Sequence, residues 1–287
     1  MNPRTLLNFT LALVLAGLIA LAVFEPGTNE KPTATPLTQL NPEDVQRVRM
    51  QSPGHTDIDL QKVDGQWKML APYSAPANQE RLMQLLKVTS AKILATYNVD
   101  NTDTKQLQLD TPSLTLILND TRLDFGGTAP LGGNRYIRIN KSIHLITDRY
   151  SYLARGVAAN LVSPTLLNNT AQISALKLPS LELRLVDGQW QSENQQTIKN
   201  PDHLQQLLDE WRHARAFNVK ALDTSLNTPA TEDPQTIIVT TNNSLLRFTL
   251  LRTNDEIILQ RRDLGLQYHF SQATGQRLLT LPQQNNS

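Results

Sequence analysis

Cysteine is absent from the 287 residues. That zero removes disulfide staples, thiolate metal clusters, a thiol nucleophile and lipid attachment through cysteine. It leaves the compartment open, because a chain of this size can bury a sufficient core without cross-links. Aromatic residues make up only 5% of the chain, so each of the three tryptophans carries weight as a core anchor. Neither sign of charge is in excess: 27 Lys and Arg stand against 26 Asp and Glu. A nucleic-acid binder normally shows a clear basic surplus, and no nucleic-acid partner is expected.

Motifs for chemistry are equally scarce. The five histidines, His55, His144, His203, His213 and His269, show neither i,i+4 spacing nor an H-E-x-x-H pattern, so no metal site is nominated. No G-x-S-x-G element marks a serine nucleophile. Asp124-Phe125-Gly126 spells a kinase metal-binding triplet, but the glycine-rich loop, strand lysine and catalytic loop of a kinase do not accompany it. It reads as a strand end. The acidic pairs Glu232-Asp233 and Asp255-Glu256 read as solvated loops. No catalytic, metal or cofactor-binding residue and no cofactor follow from the sequence, and the chain is expected not to be an enzyme.

What is present begins with an apolar segment. From Leu6 to Phe24 the clearly polar side chains are Asn8 and Thr10. Nineteen residues at helical rise span about 28 Å, close to the roughly 30 Å of a bilayer's hydrocarbon core. Arg4 precedes the segment and Glu25 follows it, which puts the N-terminus in the cytoplasm and the remainder outside. Residues 1–24 are therefore expected to be a single-pass anchor in the inner membrane. A cleaved signal peptide is the alternative, with Ala20-Leu21-Ala22 as its processing site. Residues 25–43 hold prolines among Thr and Asn and read as an extended tether.

The rest of the chain repeats itself. Val63-Asp64-Gly65-Gln66-Trp67 recurs as Val186-Asp187-Gly188-Gln189-Trp190, and Asn78 with Leu82, Leu85 and Leu86 recurs as Asn200 with Leu204, Leu207 and Leu208. Such self-similarity marks tandem structural units, here residues 44–165 and 166–287. In each, an alternating strand (58–63, 181–186) meets an Asp-Gly hairpin signal, with the Trp opening the return strand. A helix follows, capped by Asn78 or Asn200, with Pro201 suited to the first helical position. Its apolar face holds Leu82, Leu85, Leu86 and Ile93, or Leu204, Leu207, Leu208 and Trp211. Four strands complete each unit: 114–118, 123–125, 136–139 and 143–146 in the first; 236–240, 245–250, 257–260 and 267–270 in the second. The first unit closes with a helix over 148–161, and the linker falls near 164–170. The fold class expected is α+β: an N-terminal transmembrane helix, then two related domains, each a mostly antiparallel sheet with a packed helix.

One cluster stands out as a candidate interaction surface. Arg135, Tyr136, Arg138, Lys141, Arg149, Tyr150, Tyr152 and Arg155 lie close together in sequence, and Arg and Tyr are favoured at interfaces. Alternation puts Tyr136 and Arg138 on one face and Ile137 and Ile139 on the other. Gly126-Gly127 and Gly132-Gly133 bracket a loop, Thr128–Leu131, that reads as a wide hairpin connection.

The anchor, the tether, Asp64-Gly65-Gln66-Trp67, Pro72, the capped helix Asn78–Leu86, and Gly126-Gly127 with Tyr136 and Arg138 together resemble the bacterial domain of unknown function 4340 family. The likeness covers mainly 45–161; the second unit lacks the double glycines and the Tyr. The resemblance implies a membrane-anchored envelope protein, some relatives being encoded beside ABC-type export or gliding-motility components, and carries no catalytic residues. The reading that follows is a membrane-anchored periplasmic interaction or scaffold protein, such as an accessory subunit of an envelope or ABC-type transport complex, with a membrane or envelope protein as partner. The alternatives are a receptor for a glycan, lipid or small molecule, and an envelope hydrolase whose acidic residues converge only in three dimensions.

Overall fold

The computed structural model describes residues 14–15, 35–154, 158–168, 170–192, 200–223, 235–242 and 244–282. Of the apolar segment 6–24 only Val14 and Leu15 fall among them, in helical conformation; the rest of it, the processing site and residues 25–34 lie outside. Among the described residues no helix is long and apolar enough to cross a membrane.

In the first half of the chain the elements are β1 (Arg47–Gln51), β2 (Ile58–Val63), β3 (Gln66–Ala71), β4 (Ala75–Pro76), α1 (Gln79–Leu86), β5 (Ile93–Asn98), β6 (Leu114–Leu118), β7 (Thr121–Thr128), β8 (Asn134–Ile139), β9 (Ser142–Thr147) and α2 (Ser151–Ala154). The second half holds β10 (Ile173–Lys177), β11 (Glu182–Val186), β12 (Gln189–Ser192), α3 (Pro201–Arg212), β13 (Asn218–Ala221), β14 (Thr236–Thr241), β15 (Leu245–Arg252), β16 (Glu256–Arg261), β17 (Leu266–Ser271) and α4 (Gln272–Leu279). The fold is α+β and mostly β, with two antiparallel sheets. Their strand orders are β4-β3-β2-β1-β6-β7-β8-β9-β5 and β12-β11-β10-β14-β15-β16-β17-β13. With β4 set aside, the two orders correspond strand for strand.

The local chemistry corresponds too. Asp64 and Gly65 take φ of 50° and 76°, and Asp187 and Gly188 take the same two values. Positive φ at both central residues is what a two-residue hairpin with matching twist requires. Asn78 accepts from the Arg81 N–H at 3.1 Å and Asn200 from the Asp202 N–H at 2.9 Å. Each satisfies a donor that the helix start leaves unpaired. Leu82, Leu85 and Leu86, and then Leu204, Leu207, Leu208 and Trp211, turn inward as one apolar stripe.

Three expectations are corrected. Ile93 does not extend the first helix: α1 stops at Leu86, a 3-10 turn follows over Lys87–Ser90, and Ile93 opens β5. The cause is competition for the backbone. The Thr89 and Ala91 carbonyls accept from the Thr38 and Leu37 N–H groups, and the Ile93 N–H donates to Thr35. The same bonds correct the tether, since Leu37 is buried and the chain is docked from Thr35 onward. The closing helix 148–161 is split into α2 and a 3-10 turn over Ala158–Leu161, with Val157 and Arg155 outside the described residues.

The segment expected as a linker belongs to both halves. Leu161 O accepts from the Asn78 N–H at 2.7 Å, and the Ser163 N–H donates to Pro76 O at 2.8 Å. Immediately afterwards the Ala216 N–H donates to Pro164 O at 2.9 Å, and the Leu166 N–H donates to Ala214 O at 3.2 Å. This second pair copies the Ile93–Thr35 and Leu37–Ala91 bonds of the first half. Leu161, Val162, Leu166 and Leu167 are buried in a core that runs through both sheets.

The two hairpin tryptophans differ. Trp67 keeps 2% of its surface, whereas Trp190 is half-buried. β4 continues the sheet beyond β3, and the Ala77 N–H and the Gln79 side-chain amide both donate to the Trp67 carbonyl. Replacing Trp67 by Ala is expected to cost about 3–5 kcal/mol, and replacing Trp190 clearly less; urea denaturation of the two variants beside the parent measures the difference.

Candidate functional site

Alternation along the strands of the first sheet sorts two chemistries onto its faces. Val48, Met50, Leu114, Leu116, Leu118, Leu123, Phe125 and Ile137 point to the core and are buried. On the opposite face the register aligns Gln51, Thr115, Asp124, Arg138 and Ile143 in one row across five strands, and Asp59, Arg49, Ile117 and Arg122 in the next. Directly opposite side chains sit close enough to pair, so this outer face is a lattice of arginines on two aspartates.

Asp124 is the inner node. It accepts from the Thr115 hydroxyl at 2.8 Å, from Arg122 Nε at 3.0 Å and from Arg138 Nη2 at 2.8 Å. Its side chain is 4% exposed, while that of Arg122 is 54% exposed. Burial alone would raise the Asp124 carboxyl; the hydrogen bonds from Arg122, Arg138 and Thr115 outweigh it and hold the group below the usual carboxylate range. Asp59 is the second node, bidentate with Arg47 at 3.1 and 2.6 Å and 3.6 Å from Arg49. The Arg47 hydrogen bond is what lowers its carboxyl, against desolvation. Four guanidiniums on two carboxylates leave a positive excess, with donors held in place. Beside them Tyr97 and Tyr136 meet edge to face at 6.4 Å between ring centroids.

Gly126 is where this face is covered. The connection from β5 to β6 crosses it: a Cβ on Gly126 would stand 2.5 Å from the Leu107 carbonyl oxygen, and the Gly127 N–H donates to that oxygen at 2.7 Å. The double glycine is thus a close-approach site inside β7, not part of the hairpin loop, which spans 129–133. Asp124-Phe125-Gly126 lies within the strand, with Phe125 in the core.

The sequence-predicted Arg/Tyr cluster does not stay together. Tyr136 and Arg138 share the outer face and Ile137 lies in the core, as alternation requires. Arg135 turns the other way and is buried, donating through Nε to Asp148 at 2.5 Å, through Nη1 to Gly126 O at 2.6 Å and through Nη2 to Thr128 at 3.0 Å. Asp148 also accepts from the Ser151 hydroxyl and N–H. Burial pushes its carboxyl up, but the Ser151 and Arg135 hydrogen bonds prevail and leave it lowered. Arg135 is therefore a clamp between β8 and α2. Lys141 lies exposed in the β8–β9 turn, Tyr150 packs partly on the core, Arg149 and Tyr152 face solvent, and Arg155 lies outside the described residues. Arg47, Arg49, Asp59 and Arg122 escaped the sequence reading because they come from distant strands.

The same face of the second sheet is built differently. Gln260, Gln267 and His269 are buried there. The Gln267 amide donates to His269 Nε2 at 3.1 Å, and His269 Nδ1 donates to Glu256 Oε2 at 2.6 Å. Glu256 is thus a strand residue gripping a histidine, not one of a solvated loop pair; Glu232-Asp233 lies outside the described residues. With Nε2 engaged by Gln267, the imidazole has no free lone pair to activate a hydroxyl, so the relay organises the sheet. Between α3 and α4 runs a groove of about 460 Å³ lined by Gln206, Leu207, Gln276 and Leu281, with Arg277 bonded to Glu210 at 2.9 Å.

Two measurements separate clamp from surface. Asp148→Ala leaves Arg135 buried without its carboxylate and is expected to cost about 3–5 kcal/mol. Arg122→Ala removes a half-exposed partner and is expected to cost less than about 1 kcal/mol. Because the folded-state carboxyls of Asp124 and Asp148 lie low, their contribution is present above the unfolded value of about 3.9 and is lost as pH falls below it. Denaturation midpoints from pH 6 down to pH 2 should fall less steeply for Asp148→Asn than for the parent.

No curated protein and no solved structure matches the chain. A family model described as Domain of unknown function (DUF4340) matches residues 67–236. The match opens at Trp67, takes in Pro72, Asn78–Leu86, Gly126-Gly127, Tyr136 and Arg138, and runs on to the first residue of β14, so it reaches well past the first half to which the sequence motifs pointed. It covers more than half of the 287 residues, and the chain belongs to the DUF4340 family.

Proposed function

We propose that this chain is a membrane-anchored periplasmic interaction protein: residues 6–24 span the inner membrane, and tandem copies of one α+β domain outside it dock a membrane or envelope protein, such as a subunit of an ABC-type transport complex. The first copy then begins at Thr35 and the second at about Ser163, ahead of the 44 and 166 that the hydrophobic patterns indicate. The observation that carries the docking role is the outer face of the first sheet. Arg47, Arg49, Arg122 and Arg138 are held on Asp59 and Asp124 with donors to spare, beside Tyr97 and Tyr136. Guanidiniums fixed in advance lose little freedom on binding, and their net positive charge suits an acidic partner segment.

Cross-linking in intact cells followed by mass spectrometry should recover one reproducible envelope partner. Arg49→Ala with Arg122→Ala should abolish the recovery while lowering the melting temperature by only a few degrees, in line with the small cost expected for Arg122. Carbonate-washed membranes should retain the parent chain and release a variant lacking residues 6–24. Retention of that shortened variant would remove the anchor from the proposal.

The α3–α4 groove favours a second reading, a receptor for a small molecule. A thermal-shift screen against glycans, lipids and metabolites separates the two, since a ligand specific to the folded state raises the melting temperature.

A further inference from the structure

Strand pairing in the first sheet collects a distinctive set of side chains at one corner. Ile93 of β5 faces Ile146 of β9, Ile146 faces Arg135 of β8, and Arg135 faces Thr128 of β7. Four neighbouring strands therefore reach the same end together, and neighbouring strands lie only about 4.8 Å apart. Leu94 follows Ile93; loop 129–133 follows Thr128; Arg149 and Tyr152 follow β9. Leu131 is 83% exposed, Tyr152 61% and Leu94 46%, and Lys92 and Arg149 are exposed beside them. Acidic groups are exposed at this end as well: Asp57 precedes β2 on the far side of the sheet, and Asp110 precedes β6, one strand from β7, on the segment whose Leu107 carbonyl accepts from the Gly127 N–H.

The same corner is where the chain comes in. The Ile93 N–H donates to the Thr35 carbonyl at 3.2 Å, and Pro36 bridges Lys92. The opposite end of the sheet carries the turns at Asp64-Gly65, Asn119-Asp120 and Asn140-Lys141. Toward that opposite end the second half attaches, through Asn78–Leu161, Ala77–Val162 and the Glu80–Arg215 ion pair at 3.0 Å. The entry corner is thus clear of those contacts.

We infer that this corner rests on the bilayer, with Leu131, Leu94 and Tyr152 entering the interfacial region and Lys92 and Arg149 at the headgroups. Its position relative to the membrane rests on the anchor proposed above. Residues 25–34 could hold the body as far as about 35 Å away if fully extended, so contact is not dictated by the anchor. It comes from the side chains, since exposed leucine and tyrosine gain by leaving water at the interface while basic groups stay with the headgroups. The second half then projects away from the membrane, and the arginine face stands upright where another membrane protein can reach it.

The chain has no cysteine, so single labels can be placed cleanly. Full-length Leu131→Cys, Lys141→Cys and Val14→Cys variants, each carrying an environment-sensitive fluorophore, are reconstituted in phosphatidylethanolamine–phosphatidylglycerol vesicles containing a fraction of spin-labelled phosphatidylcholine. Expected are a blue shift and loss of fluorescence at 131, and a water-like, unquenched signal at 141 in the far turn. A water-like signal at 131 overturns the inference whatever happens at 14. Quenching at 14 with none at 131 leaves the anchor standing and removes the docking. Quenching at 131 with none at 14 leaves the docking and removes the anchor.

Discussion

The structure depends on one short segment, Leu161–Leu167, that is claimed from both sides. Its first residues hydrogen-bond to the start of α1, its next ones to the turn after α3, and its leucines are buried between. Backbone groups buried at such a junction must find partners, and here each half supplies some of them. A free linker would let two sheets tumble independently; this one stitches them through paired amides and a shared core. The ion pair between Glu80 and Arg215, both largely exposed, adds little energy to that join.

From this junction the polar chemistry follows a simple division. Three buried polar groups are well partnered: Arg135 has three acceptors, Asp124 three donors, and the His269 imidazole is held at both ring nitrogens. These groups hold elements in register. Where arginines emerge half-exposed from the same aspartates, they keep donors available. The first sheet thus carries a face of half-exposed arginines, which the proposed docking role would use, and the second a buried Gln–His–Glu relay. Two faces of matching strand order differ in chemistry through a few side-chain identities.

Legibility in the sequence tracked the range of the interaction. The Asp-Gly turns, the asparagine caps and the alternating strands depend on neighbours within a few residues, and they came out with boundaries close to those observed. β5, β13 and α4 did not. β5 and β13 are edge strands with poor alternation, and α4 reads Gln-Ala-Thr-Gly-Gln-Arg before its leucines, a weak helical signal. The proline-rich stretch from Thr35 looked like a tether because composition says nothing of a docking partner fifty residues away.

Local pattern alone established the hairpin and helix of each half, the α+β class and the family, because turns, caps and periodicity are set by sequence neighbours. Only the tertiary structure decided that Arg135 is a buried clamp while Arg138, three residues on, belongs to a surface lattice with Arg47, Arg49 and Arg122. That assignment depends on strand register between residues as far apart as Arg49 and Ile117, and on the two-residue alternation that sends successive side chains to opposite faces.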